Sequence, residues 1–181
     1  GLKGYGQSEK LFKTVEEAMR EELQIRTTPS KPNQTLLDQT TSQNAVSLHV
    51  RRGDYVTNPL ANAHHGTCDL GCYKAAIEYI AGQMQEAPIF YLFSDDIAWV
   101  KNNLIPKYET VFVDINDEAT NYEDLRLMSR CRHHIIANSS FSWWGAWLNS
   151  DPEKIIVAPK NWYADPATRN PDKLPPSWNT L

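Results

Sequence analysis

A chain of 181 residues, 41% hydrophobic and 22% charged, is long enough for one domain with a buried core, which excludes disordered and fibrous classes. A formal net charge of -4 gives no broad basic face, so nucleic acid is excluded as a partner and any bound anion must be held by a few local cations. No apolar run is long enough to span a bilayer, and no charged-then-apolar signal pattern opens the chain.

The stretch "SEKLFKTVEEAMREEL" predicts an amphipathic helix capped by Ser8, with Leu11, Phe12, Val15, Met19 and Leu23 on one face. The next stretch, "RTTPSKPNQTLLDQTTSQN", lacks that period and carries two prolines, and reads as a loop. Residues 1–44 are therefore a linking helix and loop, and residues 45–181 form the main domain. From residue 45, short apolar runs alternate with helical segments. They are "AVSLHV", a helix around "GCYKAAIEYIAGQMQ", "PIFYLF", "DIAWVKNNL", "TVFVD", "YEDLRLMSRC", "HHIIA", "SFSWWGAWLN" and "KIIVAP". The runs are continuously apolar, as strands covered on both faces are, so the fold class is α/β with a mostly parallel sheet and flanking helices. Cys68, Cys72 and Cys131 are odd in number, and the only close pair sits four apart in one predicted helix. Neither a disulfide nor a zinc site is expected from that arrangement, and all three read as reduced thiols.

Ligands of such sheets collect at the carboxyl ends of the strands. Three predicted strands exit into polar clusters: Arg51, Arg52 and Asp54; Ser94, Asp95 and Asp96; Asn138, Ser139 and Ser140. Two guanidinium forks suit a pyrophosphate, although an arginine pair braced by Asp54 is the structural alternative. Asn138 to Ser140, where a strand passes into a helix, suit a phosphate at the positive helix end or a plain cap. Asp95 and Asp96 suit ribose hydroxyls or base N–H groups, with Asp95 as a helix cap the structural alternative. No DxD with supporting ligands appears, so a magnesium site is the weaker reading. Asp124 and Arg126 lie on a helix whose Leu125 and Met128 face the core and whose charge is mostly a solvated face. The indoles of Trp143, Trp144 and Trp147 read as core. His64 with His65, and His133 with His134, are adjacent pairs with diverging rings and do not suit a metal, whereas His49 shares a strand face with Arg51. No GxSxG, Cys-His nucleophile signature or Walker loop is present. The combination describes a pocket for a nucleotide diphosphate.

The ordered set "GYGQSEKLF", "VSLHVRRGDYV", "CYKAAIEYI", "YLFSDDIAWVKNNL", "YEDLRLMSRCRHHIIANSSFSWWGAWLN" and "KIIVAPKNWY" resembles the α-1,2-fucosyltransferases of glycosyltransferase family 11 over nearly the whole chain. The resemblance implies the Rossmann-like, donor-binding C-terminal half of a GT-B enzyme, with an acceptor-side N-terminal portion outside this chain. It implies GDP-β-L-fucose as donor and a galactose-containing oligosaccharide as acceptor. Arg51 and Arg52 would hold the pyrophosphate, His49 would sit beside the nucleotide, and Asp54 would orient the arginines. Asp95, Asp96 and Asp124 would meet ribose or guanine, and Asn138, Ser139, Ser140 and Phe141 would complete the pocket. Gly6 stands where the family pattern has an aromatic residue. The implied chemistry is an inverting displacement without metal or other cofactor. Its general base is unassigned, since Asp54 is too close to the arginines to serve well. A bacterial cytoplasmic location is implied, with membrane or Golgi attachment only through an upstream segment. A non-catalytic nucleotide-sugar or carbohydrate-binding module derived from such an enzyme is the alternative. The glycosylation patterns "NQT" at 33–35 and "NSS" at 138–140 read as coincidence.

Overall fold

The apolar runs assemble into one parallel sheet in a computed structural model that describes residues 8–11, 13–52, 68–163 and 172–181. Its strands are β1 (Ala45–Val50), β2 (Ile89–Ser94), β3 (Glu109–Phe112), β4 (His133–Ile135), β5 (Ile156–Ala158) and β6 (Asn179–Thr180), in the order β3-β2-β1-β4-β5-β6. Every neighbouring pair is parallel. This is a Rossmann-like α/β arrangement: the chain builds outward from β1 to β3, then crosses back and builds outward the other way from β4. The crossing opens a crevice between the carboxyl ends of β1 and β4. The two-residue β6 has no apolar run to announce it. It is held by the Leu181 N–H, which donates to the Ala158 carbonyl, and by the Lys160 N–H, which donates to the Leu181 carbonyl.

The helices are α1 (Glu16–Glu22), α2 (Lys31–Ser42), α3 (Leu70–Gln83), α4 (Ile97–Asn103), α5 (Tyr122–Arg130) and α6 (Ser140–Leu148). Side-chain alternation along the strands decides which layer each one covers. Val46, Leu48 and Val50 of β1 and Phe90 and Leu92 of β2 pack against Tyr73, Ala76, Ile77 and Ile80 of α3 and Val100 of α4. Ala45, Tyr91 and Phe93 point the other way, against Leu127 and Met128 of α5 and Leu36 and Leu37 of α2. Each large side chain so buried contributes about 1.5–3 kcal/mol. On the second layer α6 lays Trp143 and Trp147 onto Ile156 and Ala158, with Trp178 closing the cluster. The core reading of these indoles holds, since Trp143 and Trp147 are buried, while Trp144 is partly exposed at the edge. Gly145 lets α5 and α6 come close: a Cβ there would stand 3.1 Å from the Met128 Cβ.

Three expectations are corrected. The stretch read as a loop holds α2, because Ser30 caps it and its prolines fall where no helical N–H is lost: Pro29 precedes the cap and Pro32 sits in the first turn. Its inward face includes Asn33 and Thr40 beside Leu36 and Leu37, so a hydrophobic period is hardly visible. The N-terminal segment is not one long amphipathic helix. It comprises 3-10 turns at Glu9–Leu11 and Lys13–Val15 followed by the short α1. Ser8 contributes a backbone carbonyl to the first turn. Met19 packs against the tryptophan cluster, but Leu11, Val15 and Leu23 are exposed, and Phe12 lies outside the described residues. Finally, Cys68 and Cys72 form a disulfide, with their Cα atoms 5.7 Å apart. Asp69 caps α3, so Cys68 lies just outside the helix, where the chain can turn its sulfur back onto the first turn. Cys131 is a free, buried thiol, as expected.

Candidate functional site

The exits of β1, β2 and β4 do lie on one edge, beside the crevice. Register explains how the first two meet: Val50 pairs with Ser94, so the next residues bring Arg51 and Arg52 alongside Asp95 and Asp96. An Arg51 guanidinium nitrogen stands 3.1 Å from an Asp95 carboxylate oxygen. The other Asp95 oxygen accepts from the Arg52 backbone N–H at 2.9 Å. Arg52 Nε donates to Asp96 at 3.3 Å, and its guanidinium lies 3.6 Å over the ring of Trp99 on α4. The arginines are therefore unlike each other. Arg52 is clamped between a carboxylate and an indole face, with its side chain 22% exposed, whereas Arg51 is 34% exposed. The helix cap is Asp96 rather than Asp95: its carboxylate accepts from the Trp99 N–H at 3.1 Å. Asp54, expected as the brace, lies outside the described residues, as do Gly6, His64 and His65.

Across the crevice, β4 runs through Asn138 into α6. Ser139 is the α6 cap and accepts from the Phe141 N–H at 3.3 Å. Asn138 is buried and donates to the Trp162 carbonyl at 3.3 Å, which leaves no exposed amide for a glycan. Phe141 bridges the gap to β1, with its ring centre 5.8 Å from that of His49. His49 is 5% exposed, and among the described residues its buried Nδ1 has no hydrogen-bond partner. Burial lowers its pKa to about 4, opposed by the Asp95 charge and assisted by that of Arg51, so the ring is neutral near pH 7. A buried ring nitrogen without a partner, at the topological switch point and within the field of Arg51 and Asp95, is open to a ligand atom.

Asp124 sits in the first turn of α5, whose C-terminal end feeds β4, so this first turn lies on the same carboxyl edge. Its carboxylate accepts from the Asn116 side-chain amide at 2.7 Å. Asn116 and Asn33 in turn exchange amide hydrogen bonds at 2.8 and 3.0 Å. Burial raises the Asp124 pKa to about 6, partly offset by the Asn116 bond, and the neighbouring Glu123 charge adds to the rise. Leu127 and Met128 are the buried faces of α5, while Leu125 is only partly covered. The structure thus brings His49, Arg51, Arg52, Asp95, Asp96, Ser139, Ser140 and Phe141 around one crevice, with Asp124 on the same edge.

Sequence reasoning missed Trp99, Asn33, Asn116 and Lys173. Trp99 could have been suspected from its place three residues after a helix-capping aspartate; the two asparagines carry no pattern at all. Lys173, near the exit of β5, is 8% exposed and donates to the Tyr163 hydroxyl at 2.8 Å beside the Trp162 ring. A cavity of about 1080 Å³ lies at the opposite edge, lined by Asn44, Arg126, Arg132 and Asp151 among others. Its polar groups serve one another: Arg132 donates to Asn44, and Arg126 stands 3.1 Å from Glu123. Another buried cluster resembles a catalytic triad without being one. Ser47 lies 2.8 Å from His134 Nδ1, and Asn149 Nδ2 lies 2.8 Å from His134 Nε2, all within the packed interior. His133 Nδ1 accepts from the Ile155 N–H at 3.0 Å, so the two rings of that pair are held by different partners. Among the described residues no helix is long and apolar enough to cross a membrane.

The sequence model of glycosyl transferase family 11 matches residues 2–181. The chain belongs to that family. It is 38% identical over 182 residues to an alpha-1,2-colitosyltransferase of Escherichia coli, covering 97% of this chain and 60% of that protein. To the O-antigen biosynthesis glycosyltransferase WbnK of Escherichia coli it is 45% identical over 125 residues, 67% of this chain and 40% of that protein. Human galactoside alpha-(1,2)-fucosyltransferase 1 matches at 30% over 104 residues, 57% of this chain and 28% of the human protein. The chain thus spans between 28% and 60% of the length of these relatives. The relatives' names share a glycosyl transfer but differ in the sugar moved.

Proposed function

We propose that this chain is the donor-binding part of an inverting family 11 glycosyltransferase that moves L-fucose from GDP-β-L-fucose to a galactose hydroxyl of a glycan. The observation that carries the reading is the switch-point crevice. There two fixed cations at the β1 exit face a capped helix start at the β4 exit, with the unpartnered Nδ1 of His49 between them. Arg51, the more open of the two, bonds the diphosphate, and Arg52, held by Asp96 and Trp99, adds a second fixed charge. In the transfer the acceptor oxygen forms its bond to the anomeric carbon as the opposite bond to the diphosphate breaks. Charge grows on the departing GDP, and preoriented guanidinium groups stabilise it most at that moment. The Ser139 and Ser140 end of α6 adds N–H groups to the same anion. His49 meets the nucleotide as a neutral ring. Asp124, an acceptor-only carboxylate, reads the paired N–H groups of the guanine edge. The acceptor and the base that takes its proton are assigned to the portion of the protein outside this chain.

The test is binding of GDP and GDP-fucose to wild type and to Arg51→Ala. Loss of at least about 30-fold is expected, the scale of a charge-assisted bidentate contact plus its field; equal affinity would remove Arg51 from the site. A second donor is favoured by the 38% identity to a colitosyltransferase over 97% of the chain. Colitose is fucose without its 3-hydroxyl, so competition between the two GDP-sugars for one site decides between them. Turnover on a galactoside by the full-length protein separates a transferase from a non-catalytic binding module.

A further inference from the structure

α2, invisible as a helix in the sequence, brings a buried amide to the donor edge. Asn33 is 4% exposed and is fixed from two sides, since its Nδ2 donates to Ser30 Oγ at 3.1 Å and to Asn116 Oδ1 at 2.8 Å. Asn116 Nδ2 uses both its hydrogens, one on Asn33 Oδ1 at 3.0 Å and one on Asp124 at 2.7 Å. The Asn116 amide therefore has one orientation. Turning it over would set its oxygen against the Asp124 carboxylate and its nitrogen against the Asn33 amide nitrogen. This arrangement does not cap α5, whose cap residue Asn121 makes no side-chain cap bond. One Asp124 oxygen is thus anchored, while the other has no protein hydrogen bond among the described residues. Two amides ordered in order to hold half of a carboxylate leave the other half aimed and ready.

We infer that Asn116, backed by Asn33, is a positioning residue that holds the Asp124 carboxylate in place for the donor's nucleobase. This rests on the role proposed for Asp124 above. The donated bond does two things: it fixes direction, and it favours the ionised carboxylate that a pair of nucleobase N–H groups requires. The groups facing Asp124 are few. Glu123, next to it on α5, is charged and stands 3.1 Å from Arg126, while the β3–α5 connection and α2 present the uncharged Asn116 and Asn33. His49 is neutral throughout the relevant range.

The experiment is titration calorimetry of GDP-fucose with the full-length protein from pH 5 to pH 8; the diphosphate diester itself has no ionisation there. Wild-type affinity should fall as pH drops below about 6. In Asn116→Leu the fall should begin about one pH unit higher, giving roughly 5-fold weaker binding than wild type near pH 6 with near wild-type binding at pH 8. Asn33→Leu, which leaves the donor in place but frees it to turn, should shift the fall in the same direction by less, and serves if Asn116→Leu folds poorly. Asp124→Asn should weaken binding at pH 8 and flatten the profile. A uniform loss at every pH in the asparagine variants, with Asp124→Asn behaving as stated, would make the amides merely structural and overturn the inference alone. Wild-type binding by Asp124→Asn would overturn the Asp124 role and the inference with it.

Discussion

His134 and His49 sit on adjacent central strands and face the same layer, yet they live in opposite circumstances. Both are buried and both are held neutral by burial, with pKa values lowered to about 3 and about 4. His134 has a partner for each nitrogen, Ser47 and Asn149, in the middle of the sheet. His49, one strand over and at the carboxyl end, has Nδ1 open and two charges nearby. The difference teaches how to separate scaffold from site when the residue type is the same. A buried polar group that the protein satisfies completely is part of the scaffold, and one that it leaves open at a ligand edge is reserved for something else.

The sharpest way to break that contrast is His134→Leu. It strands two buried partners, Ser47 and Asn149, and should cost about 4 kcal/mol of stability in urea denaturation, while donor affinity of the folded fraction stays unchanged. A large loss of affinity at unchanged stability would reverse the assignment. Acid comes next. A histidine whose folded pKa is depressed contributes stability that is complete above its unfolded value of 6.5 and is lost as pH falls toward the folded value. His49 and His134 both act this way, and Asp124, raised to about 6, acts oppositely as pH falls from 6 toward 3.8. His133, likewise lowered by burial, adds to the same side, so the net loss is at least about 3 kcal/mol between pH 6.5 and pH 4, at ~1.4 kcal/mol per pH unit. Replacing either histidine, as in His49→Gln, should flatten most of that slope; an unchanged slope would mean that the ring is not held neutral.

Smaller effects refine the contrast. His49→Leu should leave stability within about 1 kcal/mol of wild type, because its open nitrogen supports no protein partner, while donor binding weakens about 10-fold. At the arginine clamp, Trp99→Leu removes the face under Arg52 and should weaken GDP binding by about 1 kcal/mol, with Trp99→Phe recovering part of it. Equal binding by Trp99→Leu would mean that Asp96 alone suffices. Gly145→Ala trades a closer contact with Met128 against better helix propensity, so its effect on the melting temperature should be the smallest, within about 1 kcal/mol.

Much of this was legible in the sequence because strand content and strand exits are local properties. The five short apolar runs and the clusters at 51–52, 95–96 and 138–140 could be read directly, since burial on both faces writes itself as continuous hydrophobicity. The α2 helix could not, because half its inward face is polar and its prolines look like breaks until the cap is known. The Cys68–Cys72 bridge was missed because Cys68 was placed inside a helix that starts one residue later, at the Asp69 cap. The clamp on Arg52 and the Asn33–Asn116–Asp124 chain join residues more than forty and more than eighty positions apart, and no local period connects them.

By itself, the sequence determined an α/β sheet, the edge on which the polar strand exits gather, and the residue types placed there, because hydrophobic periodicity and chain reversal dictate them one element at a time. Only the tertiary structure decided which strands became neighbours, and with that which carboxylates would hold which arginine. It made Arg51 and Arg52 unequal and gave His134 two partners while leaving His49 open. Those outcomes depend on register between strands and on which helix covers which face, and these are settled when the whole core closes.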